Sequence, residues 1–246
     1  MKLAIDIGNT SIKKASFNDF KLNKIYHLNY SKKNLNKLLV NLKDDFKKYE
    51  FIYICSVVPE IDYLIKKKIS YKNNKTIFVN KIKLKSFVNK SINLNQLGSD
   101  RLINVLSITQ IYKKTNDFII VDLGTATTLD IIINKKYYGG VILPGLKTSY
   151  ANLINLASNI KSINFTKENK IIGKNTKTAL LAGYNTGSKI MIDSYIKLLK
   201  RHFNKRFKVI FTGGYASNIV TNQDKYIYKE DLTLQGIAFY QNFHKK

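Results

Sequence analysis

Leu3-Ala4-Ile5-Asp6-Ile7-Gly8-Asn9-Thr10 opens the chain and carries its fold. Leu3, Ile5 and Ile7 alternate with Ala4 and Asp6, as a strand buried on one face requires, and Gly8-Asn9-Thr10 is turn chemistry. An extended pattern resumes over residues 12–17. The arrangement returns in mid-chain as Val121-Asp122-Leu123-Gly124-Thr125, within an apolar run that starts at Phe118 and with a returning strand over 129–133. Each copy is an apolar strand bearing one Asp just before a Gly-containing hairpin. Such an echo divides the chain into an N-terminal lobe, residues 1–117, and a C-terminal lobe, residues 118–246. No Pro/Gly-rich linker marks the boundary, so closely joined lobes are expected.

Working outward, a third strand is expected over 24–28. Leu35, Leu38, Leu39, Leu42 and Phe46 recur at helical spacing. A buried strand is expected over 51–58, ending at Pro59, then a helix over 60–70 and a strand over 76–79. Gly98 breaks the chain before a helix over 100–111. Strands over 118–123 and 137–143 precede Pro144-Gly145, which stops the second of them. Helices follow over 146–160 and 177–203, the latter with an interruption near Gly183 or Gly187. A strand over 209–211 runs into Thr212-Gly213-Gly214, and a last helix covers 234–243.

With 246 residues and 44% hydrophobic composition, the chain is long enough for a substantial core. No apolar run approaches a membrane span, and no signal peptide opens the chain, so a soluble cytoplasmic protein without a membrane partner is expected. A single cysteine, Cys55, excludes an internal disulfide and a Cys-rich zinc site. The formal charge of +26 invites a nucleic-acid partner, but only Arg101, Arg201 and Arg206 are arginines. Base-reading interfaces lean on Arg forks. Lysines dispersed among Asn, Ile and Tyr are what drift in an A/T-rich genome produces, with a functional basic face as the alternative. No specific nucleic-acid partner is expected. The field favours anionic ligands, a nucleoside triphosphate among them.

A carboxylate at a strand end beside a glycine suits a metal-bound polyphosphate: turn N–H and hydroxyl groups meet phosphate oxygens, and Asp holds Mg²⁺ directly or through water. Either Asp6 or Asp122 alone is equally a turn carboxylate. Two copies plus Thr212-Gly213-Gly214 are harder to assign to folding. Neither a P-loop nor a dinucleotide fingerprint is present. Asp100, between Gly98 and a helix start, reads as an N-cap. Arg101, kept in a lysine-saturated chain, suits a bidentate grip on carboxylate or phosphoryl oxygens.

The runs Asp6-Ile7-Gly8-Asn9-Thr10, Gly98-Ser99-Asp100-Arg101, Asp122-Leu123-Gly124-Thr125-Ala126-Thr127-Thr128 with Asp130, Gly139-Gly140-Val141-Ile142-Leu143-Pro144-Gly145, Gly173-Lys174-Asn175-Thr176 with Gly183, and Thr212-Gly213-Gly214 resemble those of bacterial type III pantothenate kinases in order and spacing. The resemblance implies an α/β, duplicated actin-like (ribonuclease H-like) two-lobed fold with a central nucleotide cleft. It implies a homodimer whose pocket is completed across the dimer, and ATP-dependent phosphorylation of pantothenate to 4′-phosphopantothenate, the first step of coenzyme A biosynthesis. Its cofactors are ATP, Mg²⁺ and a monovalent cation, K⁺ or NH₄⁺. By this resemblance Asp6, Ile7, Gly8, Asn9, Thr10, Ser11, Ile12 and Lys13 bind ATP phosphates, with Asp6 also at Mg²⁺, and Thr125 meets ATP. Asp100 is the general base, Gly98, Ser99, Asp100, Arg101 and Thr176 contact pantothenate, and Asp122 holds the monovalent cation.

One departure stands out. The family carries an aromatic residue and a proline just upstream of Gly-x-Asp-Arg, where this chain has Ser91-Ile92-Asn93-Leu94-Asn95-Gln96-Leu97. Phe87 is the nearest aromatic. Two alternatives stay open: an ATP-binding regulatory or accessory protein of the same fold, and a kinase for another small hydroxy-carboxylate.

Overall fold

The computed structural model describes residues 1–30, 35–69, 75–157, 166, 170–220 and 226–244. It contains two five-stranded mixed sheets. The first is built from β1 (Lys2–Ile7), β2 (Ser11–Asn18), β3 (Lys21–Asn29), β4 (Phe51–Ser56) and β5 (Lys75–Phe78), in the order β3-β2-β1-β4-β5. The second uses β6 (Phe118–Leu123), β7 (Ala126–Ile133), β8 (Lys136–Pro144), β9 (Lys208–Thr212) and β10 (Ile227–Tyr228). Read from its β8 edge, its order is β8-β7-β6-β9-β10, matching the first sheet position for position. In both, the first strand pairs antiparallel with the second and parallel with the fourth, and the fourth pairs parallel with the fifth.

The hairpin turns repeat as well. Asp19-Phe20, between β2 and β3, has φ of 44° and 68°; Asn134-Lys135, between β7 and β8, has 51° and 62°. Two successive left-handed residues make the two-residue turn whose twist matches paired strands. Parallel pairing instead needs crossovers, and these carry helices. In the first half they are α1 (Leu35–Lys48) and α2 (Pro59–Lys68), followed by a 3₁₀ segment at Lys81–Phe87 and α3 (Ser99–Ile111). In the second they are α4 (Leu146–Leu156), α5 (Thr176–Leu181), a π-helical turn at Ala182–Gly187, α6 (Ser188–His202) and α7 (Ala216–Ile219); α8 (Leu232–Tyr240) ends the chain's regular structure.

Alternation along the strands sorts chemistry by face. Leu3, Ile5, Ile7 and Ile12 form one cluster with Leu38, Leu42 and Phe46 of α1 and Ile61 and Ile65 of α2. Asp6, between Ile5 and Ile7, therefore lies on the opposite face. Likewise Ile119, Val121, Leu123, Leu129 and Ile131 pack with Ile192 and Ile196 of α6 and Ile219 of α7, leaving Asp122 on the other side of its sheet. A slip of one residue would expose several such side chains, each worth about 1.5–3 kcal/mol when buried, so the register of both Asp residues is fixed by the apolar neighbours.

Most boundaries agree with the sequence to within a few residues; several differ for physical reasons. β7 starts at Ala126, three residues earlier than expected, because Thr127 and Thr128 are β-branched and pair with Leu123 and Asp122. The expected interruption near Gly183 or Gly187 is the π turn that spans both. The helix beginning at Leu146 ends at Leu156, earlier than the expected 160, because the backbone turns extended at Ala157 with φ −99° and ψ 107°; residues 158–160, like residue 70, lie outside the described residues.

Compact packing crosses the expected 117/118 division. One unit comprises Met1–Asn116, Asn134–Tyr138 and Asp231–Lys246; the other comprises Asp117–Ile133 and Gly139–Glu230. The helix α8 joins the first unit because it is apolar on nearly every side and docks on α3. A methyl group at Gly236 would lie 2.3 Å from the Ile103 carbonyl oxygen, so only glycine permits that approach. Thr233 Oγ1 donates to Asn104 Oδ1 at 2.9 Å across the same contact. Among the described residues, no helix is long and apolar enough to cross a membrane.

Candidate active site

In the first unit, β1 ends in a turn closed by the Gly8 N–H donating to the Ser11 carbonyl at 3.0 Å. Asp6 stands directly across the β1–β2 ladder from Lys13 and across the β1–β4 ladder from Cys55. Asn9 and Thr10 are exposed, whereas the side chains of Ile7 and Ile12 are fully buried in the core. Only backbone groups of those two isoleucines can meet a ligand, and the Ile7 carbonyl already accepts from Val57 N–H at 3.1 Å. Tyr30, just past β3, reaches both ends of the turn: its phenol donates to the Gly8 carbonyl at 2.6 Å and its N–H to the Thr10 carbonyl at 3.2 Å. A Cβ at Gly8 would meet the Ser11 carbonyl oxygen at 3.4 Å, so the fold alone makes only a weak demand for glycine there.

The helix α3 presents its first turn beside the end of β4. Ser99 Oγ donates to the Ser56 carbonyl at 2.7 Å, which anchors the helix start and commits the only proton of that hydroxyl to the fold. The N-cap is Gly98, and no side chain caps the helix. Asp100 is instead the second helical residue, so the N-cap reading of it does not hold. Its carboxylate curls back, with Oδ1 accepting from the Arg101 N–H at 2.7 Å. That fold-back needs glycine: a methyl group at Gly98 would sit 2.4 Å from Asp100 Oδ1. Burial raises the Asp100 pKa above its ordinary value, opposed by the Arg101 N–H bond and the Arg101 charge.

Neighbouring groups share that desolvated setting. Burial pushes the Cys55 thiol well up, reinforced by the negative charges of Asp6, Asp100 and Asp62, so Cys55 is a protonated, inert thiol. Burial also raises Asp62, a residue the sequence did not single out, while a Ser56 side-chain hydrogen bond and Lys66 oppose the shift. The Arg101 guanidinium lies 5.4 Å from the ring centre of Tyr137, itself buried. Tyr137 comes to Arg101 because the start of β8 bridges to Val88 and the Asn89 N–H donates to the Tyr137 carbonyl at 2.9 Å. Phe87, the nearest aromatic in sequence, packs edge-on against Phe243 instead. The 91–97 stretch is a run of tight turns in which Asn89 and Asn93 side chains accept from the Ser91 and Asn95 N–H groups.

The second unit carries the other carboxylate turn. Asp122 pairs across the ladders with Thr128 and Thr212, and the Gly124 N–H closes the turn on the Ala126 carbonyl at 3.0 Å. Thr125 is exposed, and its carbonyl accepts from Thr148 Oγ1 at 2.8 Å. Gly145 presses on the same peptide, for a Cβ there would be 2.2 Å from the Thr125 oxygen. Gly145 therefore admits chain against chain. Gly213, with φ of 90°, lies close against Asp122 and Leu123. Asp130 is fully buried on the Asp122 face, with Thr128 Oγ1 donating to it at 3.5 Å. Thr176 is elsewhere, exposed at the start of α5, whose N-cap Asn175 forms a reciprocal capping box with Thr178.

The family model described as type III pantothenate kinase matches residues 2–198. The chain belongs to that family. A type III pantothenate kinase of Pelagibacter ubique is 37% identical over 246 residues, covering 94% of this chain and 95% of the relative. One of Thermosipho melanesiensis is 31% identical, with 98% of each chain covered. Among solved structures, a Campylobacter jejuni protein described as Baf family has a TM-score of 0.64 at 24% identity, covering 98% of each chain. The ethanolamine utilization protein EutJ of Carboxydothermus hydrogenoformans has a TM-score of 0.52 at 11% identity, covering 97% of this chain and 89% of that one. These two likenesses bear on fold alone, an α/β architecture with two sheet-bearing units.

The donor types at these turns suit the ATP and cations that the sequence leads one to expect. Oxygen ligands from carboxylates and turn groups are what Mg²⁺ and K⁺ take. No cluster of three or more His, Cys, Asp or Glu side chains able to hold a metal occurs among the described residues. Mg²⁺ on a nucleotide needs only one or two carboxylates plus phosphates.

Proposed function

We propose that this member of the type III pantothenate kinase family transfers the γ-phosphoryl group of ATP to the primary hydroxyl of pantothenate. The observation that carries the reading is Asp100: a desolvated carboxylate folded back under Gly98 at a helix start anchored to β4. The hydroxyl oxygen attacks the γ-phosphorus, the bond to the β–γ bridging oxygen breaks, ADP leaves, and the hydroxyl proton passes to Asp100. Phosphoryl transfer asks mainly for positioning and charge stabilisation, so a late, oriented base suffices. Arg101, over the Tyr137 ring, offers its fork to the pantothenate carboxylate or the travelling phosphoryl group. Gly98 and Thr176 would also contact pantothenate, Ser99 only through groups other than its committed proton. Asp6, Lys13 and the 8–11 turn would bind ATP phosphates, Thr125 would meet ATP, and Asp122 would hold K⁺ or NH₄⁺. Mg²⁺, when bound, neutralises charge on the phosphates, with Asp6 its protein ligand.

The matching strand orders and left-handed hairpin turns support reading the two sheets as copies in a duplicated actin-like, ribonuclease H-like fold. Exposed Ile171, Ile172 and Ile190 of the second unit support a homodimer, since a chain of +26 charge has little reason to leave apolar groups in water. A coupled assay with ATP, Mg²⁺, K⁺ and a panel of small hydroxy-carboxylates tests the activity, with sedimentation equilibrium on the same preparation. Turnover of pantothenate by a dimer is expected. Preference for another hydroxy acid, no turnover at all, or a fully active monomer of about 28 kDa would each overturn the corresponding part.

Gly98→Ala isolates the carboxylate's position. The added methyl must displace the Asp100 side chain, while Gly98 itself sits in an extended conformation that alanine tolerates, with φ −59° and ψ 141°. Misplacing a reacting group by about 1 Å costs roughly 10²-fold, so kcat is expected to fall about 10- to 100-fold with the melting temperature nearly unchanged. Parent-like kcat would detach the fold-back from catalysis.

A further inference from the structure

The two Gly turns share a device that their sequences do not announce. In each, a hydroxyl from a neighbouring segment holds a carbonyl of the turn: the Tyr30 phenol holds Gly8 at 2.6 Å, and Thr148 Oγ1 holds Thr125 at 2.8 Å. The chain has no cis peptide among its described residues. In a planar trans peptide the C=O and the following N–H point in opposite directions. With the Gly8 carbonyl turned toward Tyr30, the Asn9 N–H is directed away from it. With the Thr125 carbonyl turned toward Thr148, the Ala126 N–H is directed away from α4. Both turns are held from a second side as well. The Tyr30 N–H takes the Thr10 carbonyl, and Gly145 packs against the Thr125 carbonyl. Carbonyl lone pairs repel an anion and N–H groups attract one, so the rotation of these two peptides decides whether each turn suits phosphate.

We propose that Tyr30 and Thr148 are positioning residues for phosphate binding, Tyr30 rotating its turn peptide so that the Asn9 N–H is presented as a phosphate donor and Thr148, separately in the other unit, doing the same for the Ala126 N–H. The proposal rests on the ATP reading of these turns and adds the residues that orient them. Burial, and then the charge of Glu60, raise the Tyr30 pKa, which keeps the phenol a donor. Thr148 sits in the first turn of α4, where a hydroxyl bonded to another segment has no part in that helix's own ladder.

Tyr30→Phe and Thr148→Val remove one oxygen function each and preserve shape. Titration with the non-hydrolysable triphosphate Mg-AMPPNP is the direct readout. A net hydrogen bond is worth about 0.5–1.5 kcal/mol, so each variant is expected to bind roughly three- to tenfold more weakly. The KM for ATP should rise by a similar factor while the KM for pantothenate stays at the parent value, and Thr148→Ser should restore parent affinity. Triphosphate affinity unchanged in both variants overturns the proposal, and a loss confined to one overturns it for the other residue. Loss that Thr148→Ser fails to restore overturns the role of that hydroxyl. Parent protein that binds no Mg-AMPPNP overturns the ATP reading, and this proposal with it.

Discussion

Asp100→Asn is expected to lower turnover by roughly 10²–10⁴-fold, the usual contribution of a positioned general base, while leaving the protein folded. The amide retains an oxygen that can accept the Arg101 N–H but has no capacity to take the proton of an attacking hydroxyl. The parent enzyme should carry the same group in its pH dependence. Because burial raises the Asp100 pKa, activity should be lost, as pH falls, at a pH above the ordinary aspartate range. Stability runs the other way. The native state holds the Asp100 proton more tightly than the unfolded chain does, so between the ordinary and the raised pKa the folded form binds more protons. This group's contribution to stability therefore declines as pH rises through that window. At any pH above that window, Asp100→Asn should melt no lower than the parent. Steady-state kinetics across pH, with melting curves on both proteins, checks these expectations. Turnover within about threefold of the parent would remove Asp100 from the base position.

What could be read from the sequence was what depends on local periodicity. The echo of Ile5-Asp6-Ile7-Gly8 in Val121-Asp122-Leu123-Gly124 located both carboxylate turns because strand alternation and turn chemistry are properties of a few adjacent residues. Gly183 and Gly187 marked the π turn for the same reason. The rest depends on contacts between distant segments. Tyr137 reaches Arg101 only because β8 bridges to Val88, and nothing in the alternation of Lys136–Pro144 distinguishes that ring from an ordinary strand aromatic. Tyr30 and Thr148 are single hydroxyls whose partners lie 22 and 23 residues away. The helix α8 escaped assignment to the first unit because an almost wholly apolar helix has no face that names its neighbour; the contact is written in Gly236, whose meaning appears only once Ile103 is opposite. Ser99 likewise carries a duty that its motif does not announce, its hydroxyl anchoring the helix start to the end of β4.

Adjacent glycines in the third turn should respond to substitution very differently, and Gly213→Ala should cost roughly 2–6 kcal/mol of stability. Two terms combine. An L-residue at φ of 90° is strained by about 1–3 kcal/mol. The new methyl would also lie 2.5 Å from Asp122 Oδ1 and 2.6 Å from the Leu123 nitrogen. The carboxylate can swing aside, but the Leu123 backbone belongs to β6 at the centre of its sheet, so relief must come from moving β9's exit, and overpacking of this kind typically costs about 1–3 kcal/mol. Gly214 is exposed with nothing within 4 Å of its would-be Cβ, so Gly214→Ala should stay within about 0.5 kcal/mol of the parent. Denaturant titration of the two variants measures the contrast. The displaced carboxylate adds a functional arm: if Asp122 holds the monovalent cation, Gly213→Ala should also raise the K⁺ concentration needed for half-maximal activity, and Gly214→Ala should not. Equal stability of the two would mean that the close approach of Gly213 to β6 relaxes at no cost. A large stability loss with an unchanged K⁺ requirement would leave that approach in place and remove Asp122 from the cation site.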